Sequence, residues 1–302
     1  MNRIIIDTDL CFDCDDALAL AMANIAHQNE QIELLAITHC LSDFDCAEAI
    51  CQINAYYHNE QIPVGVSKNC KVDCEAEKEY FINSMKTSPV KADKSKYPSS
   101  TELILEKLSE NEDCTLVFIG QMNNLAYLIE HKGDFYRGRK IGEILHTSIE
   151  RIVIMGGNFS SADIEFNIIK DLNSAKTVTA QIDLPLVFVD AQQGCDVYTG
   201  QEVQKERENP VSKIYSLFSV ISGKKLRQSW DPIAVYFAIF GEDELCRLSP
   251  KGRVEVLDSG QTLFREGEGN HRLLKVEHKA DMAKEIESLF KRRSGGINGV
   301  IK

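Results

Sequence analysis

IIIDTDLCFDCDDALAL (residues 4–20) joins an apolar run to a cluster of acids and then to an Ala/Leu stretch. Three consecutive isoleucines read as a strand buried on both faces, as in a parallel sheet. The stretch from Asp15 reads as a helix whose first turn carries acidic side chains, favoured there by the helix dipole. Between strand and helix, Asp7, Asp9, Asp13, Asp15 and Asp16 place five carboxylates in ten residues. Like charges at that density raise one another's pKa, and a bound cation relieves them. An all-oxygen set of this kind suits calcium or magnesium. Ligands of open α/β sheets sit outside the carboxyl ends of strands, which is where this cluster falls. Helix capping alone accounts for Asp15 and Asp16 but not for the other three.

Working outward, the same grammar repeats. Apolar runs without polar alternation at 3–7, 33–38, 114–119, 151–155 and 185–189 predict buried parallel strands. Amphipathic stretches at 15–27, 45–58, 100–109, 123–130 and 174–181 predict the intervening helices. Such alternation implies βαβ crossovers and a doubly wound, mostly parallel sheet. Residues 86–99, with Ser, Lys and Pro, read as a long loop. Beyond 189 the pattern turns helical at 209–222 and 232–240. A small hairpin is expected from 253–257 and 272–276 across a Gly-containing loop, then a helix at 281–293 and a frayed tail. No linker or repeat divides the chain, so one α/β domain is expected over residues 1–302.

Composition narrows the function. Hydrophobic residues make up 43% of 302, enough for a sizeable core. The formal net charge of −12 argues against a nucleic-acid partner, which needs a basic face. No apolar stretch is long enough for a membrane span, and acids follow the first apolar run at once, unlike a secretory leader. The ten cysteines therefore read as reduced thiols of a cytoplasmic protein. Cys70 and Cys74 form a Cys-x3-Cys pair, but no two further ligands follow at zinc-site spacing.

Three schemes compete for the acidic cluster. An EF-hand loop requires Gly at its sixth place and Glu at its twelfth. Counted from Asp7 these are Phe12 and Leu18, and from Asp9 they are Cys14 and Leu20, so that scheme fails. A metal-dependent phosphatase also opens on strand–Asp-x-Asp, but it does not repeat its carboxylates before the helix. The third scheme comes from a likeness.

DTDLCFDCDDALAL resembles the Asp-rich opening of the nucleoside hydrolase family, inosine–uridine-preferring type, with one extra residue before the Asp pair. Four more blocks follow in the family's order: IGQMNNLA (119–126), IVIMGG (152–157), EFNIIKD (165–171) and SWDPIAV (229–235). The likeness runs over nearly the whole chain. It implies a Rossmann-like core with a helical C-terminal part, a small-molecule ribonucleoside substrate, a bound calcium ion (Ca2+) and a homodimer or homotetramer. By this resemblance Asp9, Asp16 and Asp231 ligate the metal, together with the backbone carbonyl of Asn123. Asp9 also takes a proton from the attacking water. Asp15, or Asp13 given the extra residue, holds a ribose hydroxyl, and Glu165 and Asn167 hold the others. Asn124 is expected to brace its helix.

The chain also departs from the pattern. Leu10-Cys11 stands where the family has Pro-Gly. Ser42-Asp43 replaces Gly-Asn after the second strand. An Asn expected shortly before Glu165 has no counterpart, Asn158 being separated from it by a short loop. The residue before Asp231 is Trp230, where the best-known members carry a His that protonates the leaving base. His39, at the end of the second strand, is the histidine nearest the expected rim. Trp230, unable to donate a proton in that way, is expected to stack on the nucleobase and to favour purines. The implied activity is hydrolysis of the N-glycosidic bond of ribonucleosides. A catalytically weak riboside-binding relative is the alternative, with a phosphatase behind it.

Overall fold

The alternation of Ile4, Ile5 and Ile6 organises the molecule. Ile4 and Ile6 enter one apolar core and Ile5 the other, because successive side chains of a strand point to opposite faces. The strand is central, so both faces are buried. We describe residues 1–68, 70, 72–85 and 94–292 of a computed structural model.

Ten strands form the main sheet: β1 (Asn2–Thr8), β2 (Ile32–His39), β3 (Val64–Val66), β4 (Cys114–Phe118), β7 (Ile149–Met155), β8 (Leu186–Val189), β11 (Cys246–Leu248), β12 (Gly252–Val256), β13 (Thr262–Glu266) and β14 (His271–Val276). Two short ribbons pair β5 (Phe135–Tyr136) with β6 (Arg139–Lys140), and β9 (Tyr198–Thr199) with β10 (Arg227–Gln228). The sheet runs β13-β12-β14-β8-β7-β4-β1-β2-β3, with β11 on β14. From β14 to β3 every pairing is parallel, and the β11, β12 and β13 pairings are antiparallel.

The helices are α1 (Asp15–Gln28), α2 (Phe44–Tyr56), α3 (Glu75–Met85), α4 (Ser100–Glu110), α5 (Asn123–Glu130), α6 (Ile141–Ser148), α7 (Phe166–Lys170), α8 (Leu172–Gln181), α9 (Ala191–Gly194), α10 (Pro210–Ser222), α11 (Asp231–Phe240) and α12 (Lys279–Lys291). Side chains of α1, α2, α10, α11 and α12 fill the core on one face, and those of α4, α5, α6 and α8 fill the other. Helix α1 is buried from Asp15 through Ala26, because it lies between the sheet and outer helices. That explains why its sequence is apolar all round rather than striped. Each fully buried Leu, Ile or Phe contributes about 1.5–3 kcal/mol.

From β1 the chain passes to β2 and β3 on one side, then returns to β4 on the other. The strand order reverses at β1/β4, so a crevice opens above the carboxyl ends of these two strands. The acidic loop after β1 lies there.

The predicted α/β class and the five predicted strands are all present. One pairing differs from expectation. β12 pairs along its length with β13, across a turn closed by Leu257 N–H to Gln261 O and by Gly260 at φ +88°. β14 instead joins β8 in parallel, and its backbone pairing with β12 is confined to Gly252↔His271. QTLFRE (261–266) reads as polar loop, yet it pairs as an edge strand, where polar residues are normal. The short β3 and the helix α3 carry little periodic signal, and α6, though amphipathic, is only eight residues long. Of the predicted 86–99 loop, residues 86–93 lie outside the described residues, as do residue 293 of the predicted last helix and the tail after it.

Candidate active site

The site is built where β1 stops. Thr8 accepts the Leu10 N–H at 3.1 Å and donates its own hydroxyl to Asp16 Oδ1, so one side chain ties the strand end to the first turn of α1. Asp9 follows at once. Gln121, in the loop after β4, donates to Asp9 Oδ2 at 2.6 Å. That loop passes so close that a Cβ at Gly120 would lie 2.8 Å from Asp9 N and 2.9 Å from Cys40 Sγ. Glycine is therefore the residue the approach allows. Asp7 does not line the cavity. Thr38 and Asn124 donate to its Oδ2 at 2.8 and 2.7 Å, so Asn124 ties the start of α5 to β1 instead of bracing its own helix.

Asp9, Asp13, Asp15, Asp16 and Asp231 line one cavity of about 430 Å³. Asp15, Asp16 and Asp231 each offer an oxygen within 4.8 Å of the others, and all three are buried. Asp231 reaches them from the first turn of α11, which packs beside α1. Asp15 accepts from the backbone N–H of Trp230 at 3.0 Å and of Asp231 at 3.3 Å, which locks the two helix starts together. Burial, then the charge of Asp13, pushes Asp15 up to about 7. Burial pushes Asp9 to about 7 as well, against the hydrogen bond from Gln121. Asp16 and Asp231 are driven well above the usual carboxylate range by burial and then by one another's neighbours. Among the described residues, one basic side chain, Arg227, lines the cavity. It is engaged with Asp13, to which its Nε donates at 2.9 Å. The other carboxylates thus converge without a protein cation, and an all-oxygen donor set of this charge fits a hard divalent ion.

The opposite wall comes from the loop after β7. Glu165 caps α7: its oxygens accept from the N–H groups of Asn167 at 2.9 Å, Ile168 at 3.0 Å and Gly157 at 3.3 Å. Burial still raises it to about 7. Asn167 donates to Met155 O at 3.2 Å and accepts from Gln121 at 3.5 Å, linking this wall to Asp9. Both residues line the cavity. So does Asn158. Its side chain closes the short 158–161 turn by accepting from Ser160 and Ser161 N–H, so the loop length that set it aside in sequence brings it to the wall. At the mouth, Phe12 and the exposed Phe166 meet edge to face at 5.3 Å, with Lys170 over both rings.

Trp230 lines the cavity, half-buried. Its indole N–H donates to Ala191 O at 2.7 Å, and Arg227 lies over the ring at 4.6 Å. Gly194 leaves the indole its space, since a Cβ there would come within 2.3 Å of it. Asp231 begins α11 one place after the N-cap position, which Trp230 occupies.

Two residues singled out in the sequence are not among those lining this cavity. Asn123 lines a neighbouring cavity, and its side chain donates to Cys40 O at 2.9 Å and Ser67 Oγ at 3.1 Å. His39 is fully buried, with Nδ1 3.1 Å from Leu41 O. Among the described residues no histidine lines the acidic cavity. Arg227, Gln121 and Phe12 were not singled out in the sequence, because their parts in the site depend on tertiary contacts.

The fold has counterparts. A model of the inosine-uridine preferring nucleoside hydrolase family matches residues 4–288. A comparison of the sequence with curated proteins finds no match. Among solved structures, the chain is similar to the inosine-uridine preferring nucleoside hydrolase of Bacillus anthracis, with a TM-score of 0.73 and 18% identity over 97% of this chain and 100% of that one. It is similar to a plant nucleoside hydrolase, with a TM-score of 0.72 and 18% identity over 97% and 98%. It is also similar to a type III effector protein complexed with adenosine diphosphate ribose, with a TM-score of 0.72 and 14% identity over 96% and 93%. At these identities the likeness to solved structures carries the fold alone.

Proposed function

The chain belongs to the inosine-uridine preferring nucleoside hydrolase family and is a hydrolase of N-glycosyl compounds; from that premise we propose that it cleaves ribonucleosides to free base and ribose in the acidic cavity, with calcium as its metal. One observation supports the reading: buried carboxylates converge at the end of β1 and, among the described residues, the cavity lining holds no basic side chain beyond the Arg227 paired with Asp13.

Asp16 and Asp231 belong both to the ligand set the family pattern implies and to the observed trio, so they anchor the ion. Asp9 and the Asn123 carbonyl complete the implied set. When bound, calcium neutralises these carboxylates and makes a water more acidic as a Lewis acid. Asp9, held by Gln121, takes the proton of the water that attacks the anomeric carbon. The transition state has oxocarbenium character. Carboxylates fixed in a buried site stabilise that positive charge more than water would. Asp15, Glu165 and Asn167 hold the ribose hydroxyls. Asp13 is the weaker candidate for that task because Arg227 occupies it. Trp230, pinned through Ala191 and Gly194, presents an aromatic wall to the base, and we assign the enzyme a preference for purines.

A second reading has its own support. Since no histidine lines the cavity among the described residues and the indole N–H is committed to Ala191, a weakly active riboside-binding protein is the runner-up. The ten unpaired thiols suit a reducing cytoplasm, and no helix among the described residues is long and apolar enough to cross a membrane. A homodimer or homotetramer is part of the same proposal.

The test is a panel of inosine, adenosine, uridine and cytidine assayed for reducing sugar, with calcium and with a chelator. Release of ribose that depends on calcium and is fastest with purine ribosides is expected. Saturable binding without ribose release would favour the second reading. Hydrolysis of phosphate monoesters instead would move the protein to the phosphatase class.

A further inference from the structure

Three thiols that take no part in the proposed reaction meet beside the acidic loop. Cys11 comes from the turn between β1 and α1, Cys46 from the first turn of α2, and Cys74 from the residue before α3. Their Sγ atoms lie within 4.8 Å of one another and all three residues are buried. In sequence Cys74 pairs with Cys70, but the fold leaves Cys70 out and supplies Cys11 and Cys46 from distant segments.

We propose that Cys11, Cys46 and Cys74 bind one thiophilic metal ion, of which Zn2+ is the type, at a site separate from the acidic cavity. Tetrahedral zinc, with Zn–S bonds of about 2.3 Å, holds its sulfurs roughly 3.8 Å apart. The three Sγ atoms, within 4.8 Å of one another, need close by at most about 1 Å to meet that geometry. Thiolates select zinc or copper(I), whereas carboxylates and carbonyls select calcium, so the two sites sort their ions by chemistry. His39 adds a second observation. Its ring is fully buried beside the same loop, and its Nε2 has no hydrogen-bond partner. It lies near enough to Cys74 to interact with it electrostatically, but outside the group of ligand atoms that the three sulfurs form, so it borders the site and the fourth position falls to water. Cys11 stands where the family pattern has glycine, so this thiol belongs to this chain rather than to that pattern. An ion at this point fastens the turn carrying Asp9 and Asp13 to α2 and α3. The Lys78–Asp43 pair at 2.7 Å already ties α3 to the start of α2 from the same side.

The experiment titrates the metal-free, full-length protein with Cd2+ in excess calcium, reading the ultraviolet sulfur-to-metal charge-transfer band. The band should saturate at one equivalent and be displaced by Zn2+. Cys46→Ser and Cys74→Ser should abolish it, and Cys51→Ser, on the same α2 helix, should leave it intact. Absence of the band, or a band that survives both substitutions, overturns the proposal. So do fewer than ten free thiols in the denatured, freshly purified protein, which would mark the cluster as a disulfide. Should the variants fail to fold, X-ray absorption of the zinc-loaded wild type decides: a first shell with three sulfurs supports the site, and one of oxygen and nitrogen alone rejects it.

Discussion

In the proposed reaction Asp9 carries the heaviest chemical load of any single residue, held by Gln121 on the wall of the cavity that the carboxylate trio shares. Asp9→Asn keeps the shape and the Gln121 contact but removes the base. Turnover should fall by about 10²–10⁴-fold, with the circular dichroism spectrum unchanged. Wild-type turnover in this variant would remove Asp9 from the mechanism. Trp230→Ala should raise KM for inosine and adenosine more than for uridine, by the stacking lost, about 1–3 kcal/mol per base. An unchanged ranking of substrates would assign the indole to packing alone. Ala at Glu165 or Asn167 should erode the preference for ribosides over 2′-deoxyribosides. A site built to bond a hydroxyl rejects analogues lacking it by large factors, about 10⁴–10⁵ at the upper end. Equal rates on both sugars in the wild type would show the ribose is held otherwise. At this scale the sequence was legible where residue types cluster. Five aspartates in ten residues are visible without a fold, and so is a lone tryptophan beside Asp231. Gln121 and Arg227 are ordinary residues in ordinary surroundings, and only the folded chain sets them against Asp9 and Asp13. Asn123 was read for its backbone carbonyl alone, and the fold puts its side chain to separate use, donating to Cys40 O and Ser67 Oγ.

Elements place these residues, and their tight spots are the places to perturb. Gly120 lets the β4–α5 loop touch the end of β1. Gly120→Ala would push a Cβ to 2.8 Å from Asp9 N. Misplacing a catalytic group by about 1 Å costs on the order of 10²-fold, so kcat should drop by about that much while the protein stays folded. A full-rate Gly120→Ala enzyme would mean the loop has room that the geometry denies. At the far edge of the sheet, His271 accepts the Val254 N–H at 2.9 Å through Nδ1, tying β14 to β12. Burial lowers this histidine from 6.5 to about 4. Its pKa is depressed in the folded state, so the stability it adds is present above about 6.5 and is lost as the pH falls through about 4. The fall in Tm over that window should be steeper for the wild type than for His271→Phe. Parallel pH profiles would contradict the assignment. Long, apolar, regularly spaced strands and helices were readable from sequence. The β12–β13 pairing was not, since a polar edge strand looks like a loop until a neighbour pairs with it.

The whole molecule brings its acids together from opposite ends of the chain: Asp9, Asp15 and Asp16 from the first strand and helix, Asp231 from α11. The fold itself therefore gathers an acidic cluster that could hold a cation, and an ion bound only by the folded state adds to its stability. Calcium at a hundred times its Kd should stabilise the protein by about 2.7 kcal/mol, a rise of several degrees in Tm for a chain of this size. Asp231→Ala should lose most of that rise, and an equal response to calcium in this variant would place the ion elsewhere. The doubly wound architecture was legible at this scale because βαβ order leaves its mark along the entire chain, whereas the meeting of Asp231 with the loop after β1 rested on a family resemblance and not on spacing. The most direct test of the account is inosine hydrolysis by calcium-loaded protein, with base and ribose quantified separately. We expect the two products in equal amounts, with both lost on chelation and restored by calcium. Base release that persists in the chelated protein, or no ribose from any ribonucleoside, would contradict it.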